Sequence, residues 1–169
     1  MLTHAELLAA LEYDRETGVW RWRHRADRKK NWNTRWAGKI AGRIDALNGG
    51  RVIMYERTPY AAHRLAWFYE TGEWPSDEID HKNRGRDDNW FENLREATRS
   101  QNVANTALRS TNTSGFKGVS FDRSRGRFLS KIKVNYRTIN LGRFDAPEEA
   151  HAAYLAAAQK HFGEFACRG

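Results

Sequence analysis

Between Thr106 and Ser114 the chain reads Thr-Ala-Leu-Arg-Ser-Thr-Asn-Thr-Ser, with no apolar periodicity of helix or strand. Such a segment cannot enter a core, so it divides the 169 residues into two pieces that must each bury apolar surface of their own. Hydrophobic residues make up 40%, among them seven Trp, six Tyr and eight Phe, which is enough for two modest cores. Cys167 is the only cysteine, which excludes an internal disulfide and a multi-cysteine zinc site. Packing alone must therefore hold each piece, and any metal must sit on oxygen or imidazole ligands.

Charge narrows the partners. Twenty-nine Lys and Arg oppose twenty-one Asp and Glu, a net charge of +8, with a pI near 9.9. A basic chain seeks a polyanion, and nucleic acid is the commonest. An anionic membrane is the rival, but no long apolar run and no basic amphipathic helix with a bulky apolar face is present. The opening Met-Leu-Thr-His-Ala-Glu-Leu-Leu lacks the basic start and apolar stretch of a secretory signal. The expectation is a cytoplasmic protein without a membrane partner.

In the first piece, residues 3–12 predict a short helix, capped by Thr3 with Glu6 completing a capping box, its apolar face made by Leu7, Leu8 and Leu11. A turn at 14–18 leads to a strand over 19–23, where Trp20 and Trp22 share one face and Arg21 and Arg23 the other. Residues 24–36 are basic without a clean period and read as a loop or arm, either a solvated surface or a contact to the DNA backbone. Gly38, Gly42, Gly49 and Gly50 punctuate short strands including 51–55, and a helix over 61–71 ends at Gly72. His63 on that helix reads as a structural histidine ahead of a phosphate contact.

Residues 79–102 hold four polar runs: Ile79-Asp80-His81-Lys82-Asn83, Asp87-Asp88-Asn89, Glu92-Asn93-Leu94-Arg95 and Arg99-Ser100-Gln101-Asn102. A solvated turn leading into a helix would explain such a composition. Phosphodiester cleavage explains it too. That reaction needs a base near neutral pH, which His supplies. It also needs a divalent cation, which prefers carboxylate and amide oxygens. Asp80 beside His81, with Asn102 downstream, offers both. Neighbours on a strand point to opposite faces, so Asp80 and His81 can share a site only at a strand end or an irregular turn.

Residues 60–105, from Tyr60-Ala61-Ala62-His63-Arg64-Leu65-Ala66 through the Asp-His pair, the Asn-Leu-Arg run and the Gln-Asn pair, resemble the HNH endonucleases of phages and their mobile introns. The resemblance implies a ββα-metal fold with Asp80 and Asn102 as metal ligands and His81 as general base. Asn93 would hold the loop carrying His81 through backbone hydrogen bonds. Asn102 stands where many of these enzymes have histidine, as in the intron-encoded nickases, and this favours magnesium or manganese over zinc.

The second piece predicts three strands, 116–121, 127–135 and 138–141, and a helix over about 146–161 capped by Asp145 with Glu148. In the middle strand Phe128, Ser130, Ile132 and Val134 alternate with Arg127, Leu129, Lys131 and Lys133, giving a helix-packed face and a basic one. Lysines also keep surface strands soluble, but a basic sheet can enter the major groove. Residues 115–166 resemble the DNA-binding domain of plant ethylene-response (Apetala-type) factors, through Gly115-Phe116-Lys117-Gly118-Val119, Leu141-Gly142-Arg143-Phe144 and Pro147-Glu148-Glu149-Ala150. That resemblance implies DNA contacts by Lys117, Ser120, Arg127, Lys131, Lys133, Thr138, Asn140 and Arg143.

The sequence thus predicts an α+β chain with a nuclease module at 1–107 and a reader at 113–169, the latter three antiparallel strands packed on one helix. The expected activity is homing-type, metal-dependent cleavage of double-stranded DNA by a monomer or weak dimer. A non-catalytic DNA-binding regulator using the C-terminal sheet is the alternative.

Overall fold

The computed structural model describes residues 2–167. The chain forms two compact units, one running to Glu96 and the other starting at Ala97.

In the first unit, α1 (His4–Ala10) carries the expected capping box between Thr3 and Glu6, and buries Leu7 and Ala10. Leu8, expected on the apolar face, is 38% exposed. The chain leaves the helix at Leu11 into β1 (Leu11–Tyr13), which pairs antiparallel with β2 (Trp20–Trp22). Between them the Asp14 carboxylate accepts from the backbone N–H groups of Glu16 and Thr17, a local turn. Residues 24–36, expected to be loop throughout, contain a two-turn helix, α2 (Lys30–Trp36), that buries no residue. A period of two turns on a surface is too short to stand out against a basic background.

A three-stranded antiparallel sheet follows in the order β3 (Arg43–Ile44), β4 (Arg51–Tyr55), β5 (Thr58–Ala61). Its second hairpin turns through Glu56 and Arg57, both at positive φ, as a two-residue loop on twisted strands requires. Next, α3 (Ala62–Thr71) ends at Gly72 in the left-handed region. Two further strands, β6 (Glu78–His81) and β7 (Leu94–Ala97), form a two-stranded sheet. Leu7, Leu11, Trp20, Ile53 and Leu65 are wholly buried in one core, with Tyr13, Phe68, Ile79 and Leu94 around them.

The second unit begins upstream of the expected 107–113 division, and the reason is packing. The helix α4 (Arg99–Asn105), capped by a Thr98–Gln101 box, supplies Ala104 to a core that also holds Ala97, Ile132, Tyr154, Ala158 and Phe162. The Lys117 ammonium donates to the carbonyls of Ala104 (2.6 Å) and Thr106, tying the helix end down. Beyond lie β8 (Val119–Asp122), β9 (Arg127–Val134) and β10 (Arg137–Phe144), antiparallel in the order β10-β9-β8, then α5 (Pro147–Phe162). The expected Asp145 cap does not form: Ala146 occupies the cap position and makes no side-chain bond, and Asp145 pairs with Arg127 instead (2.8 Å). Pro147 opens the helix, which sets the cap at residue 146, one position past Asp145. Among the described residues, no helix is long and apolar enough to cross a membrane.

Gly118 sits at φ +76°, and a Cβ there would lie 2.0 Å from the Tyr154 ring. Gly118→Ala must displace that buried ring as well as strain the backbone. It should lower stability by about 2–4 kcal/mol, measured by urea unfolding of the full chain. A variant as stable as the parent would contradict this packing.

Candidate active site

Asp80 and His81 are the last two residues of β6, the strand-end placement at which neighbours can share a site. Both are buried, at 5% and 8% exposure. The chain turns immediately afterwards, with Arg84 N–H bonded to the His81 carbonyl (2.9 Å). Asp80 Oδ2 accepts from Arg95 Nε (3.0 Å) and Nη2 (2.9 Å), so a guanidinium from β7 fixes the carboxylate's orientation.

The His81 ring meets Asn89 Oδ1 through Nε2 (3.1 Å). Asn89 is itself fixed. Its Nδ2 donates to the Asp87 carbonyl, its carbonyl accepts from the Tyr13 hydroxyl (2.7 Å), and it is 1% exposed. With an amide oxygen as partner, Nε2 carries the proton and Nδ1 is the ring's acceptor. Burial holds the His81 pKa below that of an ordinary imidazole, although the Asn89 bond and the carboxylates of Asp80 and Asp88 pull the other way. The ring is therefore neutral at pH 7, the state a base needs.

Asn93 ties down the loop between these residues. Its Oδ1 accepts from Asn83 N–H (3.1 Å), and its Nδ2 donates to the Asp88 carbonyl (2.7 Å) and to Asn83 Oδ1 (3.0 Å). Its carbonyl accepts from Lys82 N–H (2.8 Å). The loop is also pressed from behind. Gly18, at φ +72°, lies so close to residues 89 and 90 that a Cβ would stand 2.4 Å from their backbone.

The first unit thus brings together Asp80, His81 and Asn93. Asn102, the other expected ligand, is carried by α4 in the second unit. Among the described residues, no three His, Cys, Asp or Glu side chains cluster as a metal site, so amide or water oxygens would have to complete one. That donor chemistry suits a hard divalent cation, which keeps several waters and takes one or two carboxylates. Two contributors were not assigned roles from sequence: Asn89, hidden in a polar run, and Arg95, whose partner lies fifteen residues away. His63 packs its ring edge against His81, centroids 5.1 Å apart and planes at 73°; nothing local in sequence signals that contact.

The expected DNA-contact residues of the second unit sort by register. Opposed residues share a face of an antiparallel sheet. Lys131 lies opposite Asn140, Lys133 opposite Thr138, and Leu129 opposite both Ser120 and Arg143. Arg127, two residues from Leu129, completes the same face. The register shift between Asn140 and Gly142 is what brings Arg143 onto it. Arg127 is paired with Asp145, and Arg143 with Asp122 (3.1 Å). Lys131 and Lys133 are exposed and have no carboxylate partner among the described residues. Leu129, expected on the open face, is buried at 8%. Lys117 stands outside this group, its ammonium held by the Ala104 and Thr106 carbonyls.

Burial pushes the His63 pKa down to about 4, helped by His81 and Arg64. Unfolded chains bind that proton near pH 6.5 and the folded chain does not. Stability from this residue is therefore complete above pH 6.5 and is lost as the pH falls toward 4, by about 3 kcal/mol in all. His63→Gln should flatten the acid slope of stability across that window in urea titrations; an unchanged slope would refute the assignment.

A family model described as HNH endonuclease matches residues 60–104. No curated protein and no solved structure matches the chain. The matched segment contains His63, Asp80, His81, Asn93 and Asn102, and the match supports a nuclease acting on DNA.

Proposed function

We propose that the chain is a divalent-metal-dependent HNH endonuclease of the homing type that nicks double-stranded DNA, its C-terminal sheet recognising the site. One observation carries the reading: a buried His81 sits beside Asp80 at a strand end, its ring held by Asn89 and its loop by Asn93, within a segment matching HNH endonucleases.

In this mechanism His81 Nδ1 takes the proton of a water molecule that attacks phosphorus opposite the 3′ oxygen, leaving a 5′ phosphate and a 3′ hydroxyl. Asn89 Oδ1 holds the Nε2 proton, keeping the ring in the tautomer that accepts at Nδ1. Asp80, oriented by Arg95, and Asn102 would hold the metal as the ββα-metal resemblance implies, with magnesium or manganese as the ion. When bound, that ion supplies charge neutralisation at the phosphate and the departing oxygen. A single such centre acts on one strand at a time, so the monomer nicks.

The sheet reading rests on seven expected contact residues sharing one face, Lys131 and Lys133 at its centre. Ser120, Thr138 and Asn140 supply polar groups for base edges, and Arg127, Arg143 and the lysines supply cations.

His81→Ala should reduce nicking of supercoiled plasmid by at least a thousandfold, a factor of the order that general-base loss brings, while leaving DNA affinity unchanged. Chelation of divalent metal should also stop nicking, and magnesium or manganese should restore it. A parent protein that leaves plasmid intact with either ion would instead favour a non-catalytic DNA-binding regulator.

Neutralising Lys131 or Lys133 should lower the log-log salt slope of duplex binding by about one each. An unchanged slope in filter-binding titrations would take those residues off the interface.

A further inference from the structure

The first unit has a charge pattern that its candidate active site does not use. Residues 21–57 hold eleven Lys and Arg against three Asp and Glu, a net charge of +8, while the rest of the unit, to Glu96, holds six against thirteen, a net −7. The cations are therefore gathered into the sector built by β2, α2 and the β3-β4-β5 sheet. There lies a cleft of about 460 Å³. Trp22, Trp32, Trp36 and Tyr55 supply aromatic walls, and Arg43 and Arg57 stand among its lining residues.

The cleft's floor is made of paired groups. Arg25, 9% exposed, lies between the Trp32 and Tyr55 rings and is bonded to Asp27 (2.6 Å) and Glu56. Arg28 pairs with Glu56 as well, so the carboxylate inside the cleft is already neutralised. The Asn33 side chain exchanges two hydrogen bonds with the Arg25 backbone and so helps fix α2, which buries no residue of its own. The edge of Trp32 meets Trp22 at 5.6 Å. The mouth, in contrast, is open and apolar: Trp36 is 38% exposed and Met54 46%. Arg43 and Arg57 are exposed and carry no carboxylate partner among the described residues.

We propose that this cleft binds an unpaired nucleotide of the DNA, its base stacked on the Trp36 wall and its phosphate on Arg43 and Arg57. Aromatic walls serve any base, because every base has a π face, and flanking cations follow the backbone. The cleft lies in the volume range of small-ligand sites. The charge of the sector chooses a polyanion over an apolar protein partner, whose surface would leave these cations unused. The proposal rests on the nucleic-acid reading above and is independent of catalysis.

The test uses the full chain with chelator present, and anisotropy of two labelled probes: an oligothymidylate of about ten nucleotides, and an abasic oligomer of equal length. Trp36→Ala should weaken the oligothymidylate about tenfold and leave the abasic oligomer unchanged. Trp36→Phe should recover most of the loss; a folding defect would instead weaken the abasic oligomer as well. The Arg43→Gln, Arg57→Gln double variant should weaken both probes and reduce the salt slope by about 1.4. Equal binding of both probes by the parent, or an unaltered Trp36→Ala variant, would overturn the proposal. A chain that passes this test but never nicks plasmid defeats the nuclease reading alone; one that nicks and fails here defeats only the cleft.

Discussion

The geometry around His81 depends on one side chain, that of Asn93. A loop rich in Asp, Asn and Gly between two short strands has no core of its own and few ladder bonds, so its conformation must be imposed by polar contacts. Asn93 makes three of them from a single buried amide, using both its donor and its acceptor atoms. Neither Asp nor Leu could replace it: a carboxylate lacks the donors and an apolar chain would leave Asn83 and Asp88 backbone groups without partners. Asn89, the ring's partner, belongs to the same loop, so its position follows from that anchoring.

This dependence explains which parts were legible in the sequence. The residues that matter for local reasons could be read: the Thr3 box, the Gly72 stop, the strand of 51–55, the alternation of β9. So could the polar runs themselves, since a chemistry that needs a carboxylate and an imidazole names its residue types. What could not be read was the pairing of distant groups. Arg95 with Asp80, Asn89 with His81 and His63 against His81 are consequences of how β6, β7 and α3 assemble. Asp145 and Lys117 also have partners that local sequence does not show: an arginine across the sheet, and two carbonyls at the end of α4.

The position of α4 illustrates the limit of composition. The Ser-, Thr- and Asn-rich stretch of 106–114 carries no regular element, as its composition implies. Yet the compact units divide before α4, because two small apolar residues, Ala97 and Ala104, are wanted by the core under Tyr154 and Phe162. A polar linker marks where a chain can bend. Burial decides to which body the neighbouring helix belongs.

The ion pairs on the β8-β9-β10 face carry a further consequence. Arg127 and Arg143 already hold Asp145 and Asp122, which occupy them much as phosphates would. On the proposed sheet reading, docking on DNA is a swap of one set of negative partners for another, and the net gain per arginine is small. A duplex that merely offers charge would be gripped weakly there and released fast, whereas one whose base edges engage the guanidiniums in two bonds at once repays the swap. Under that proposal, the internal carboxylates would discourage lingering on random sequence.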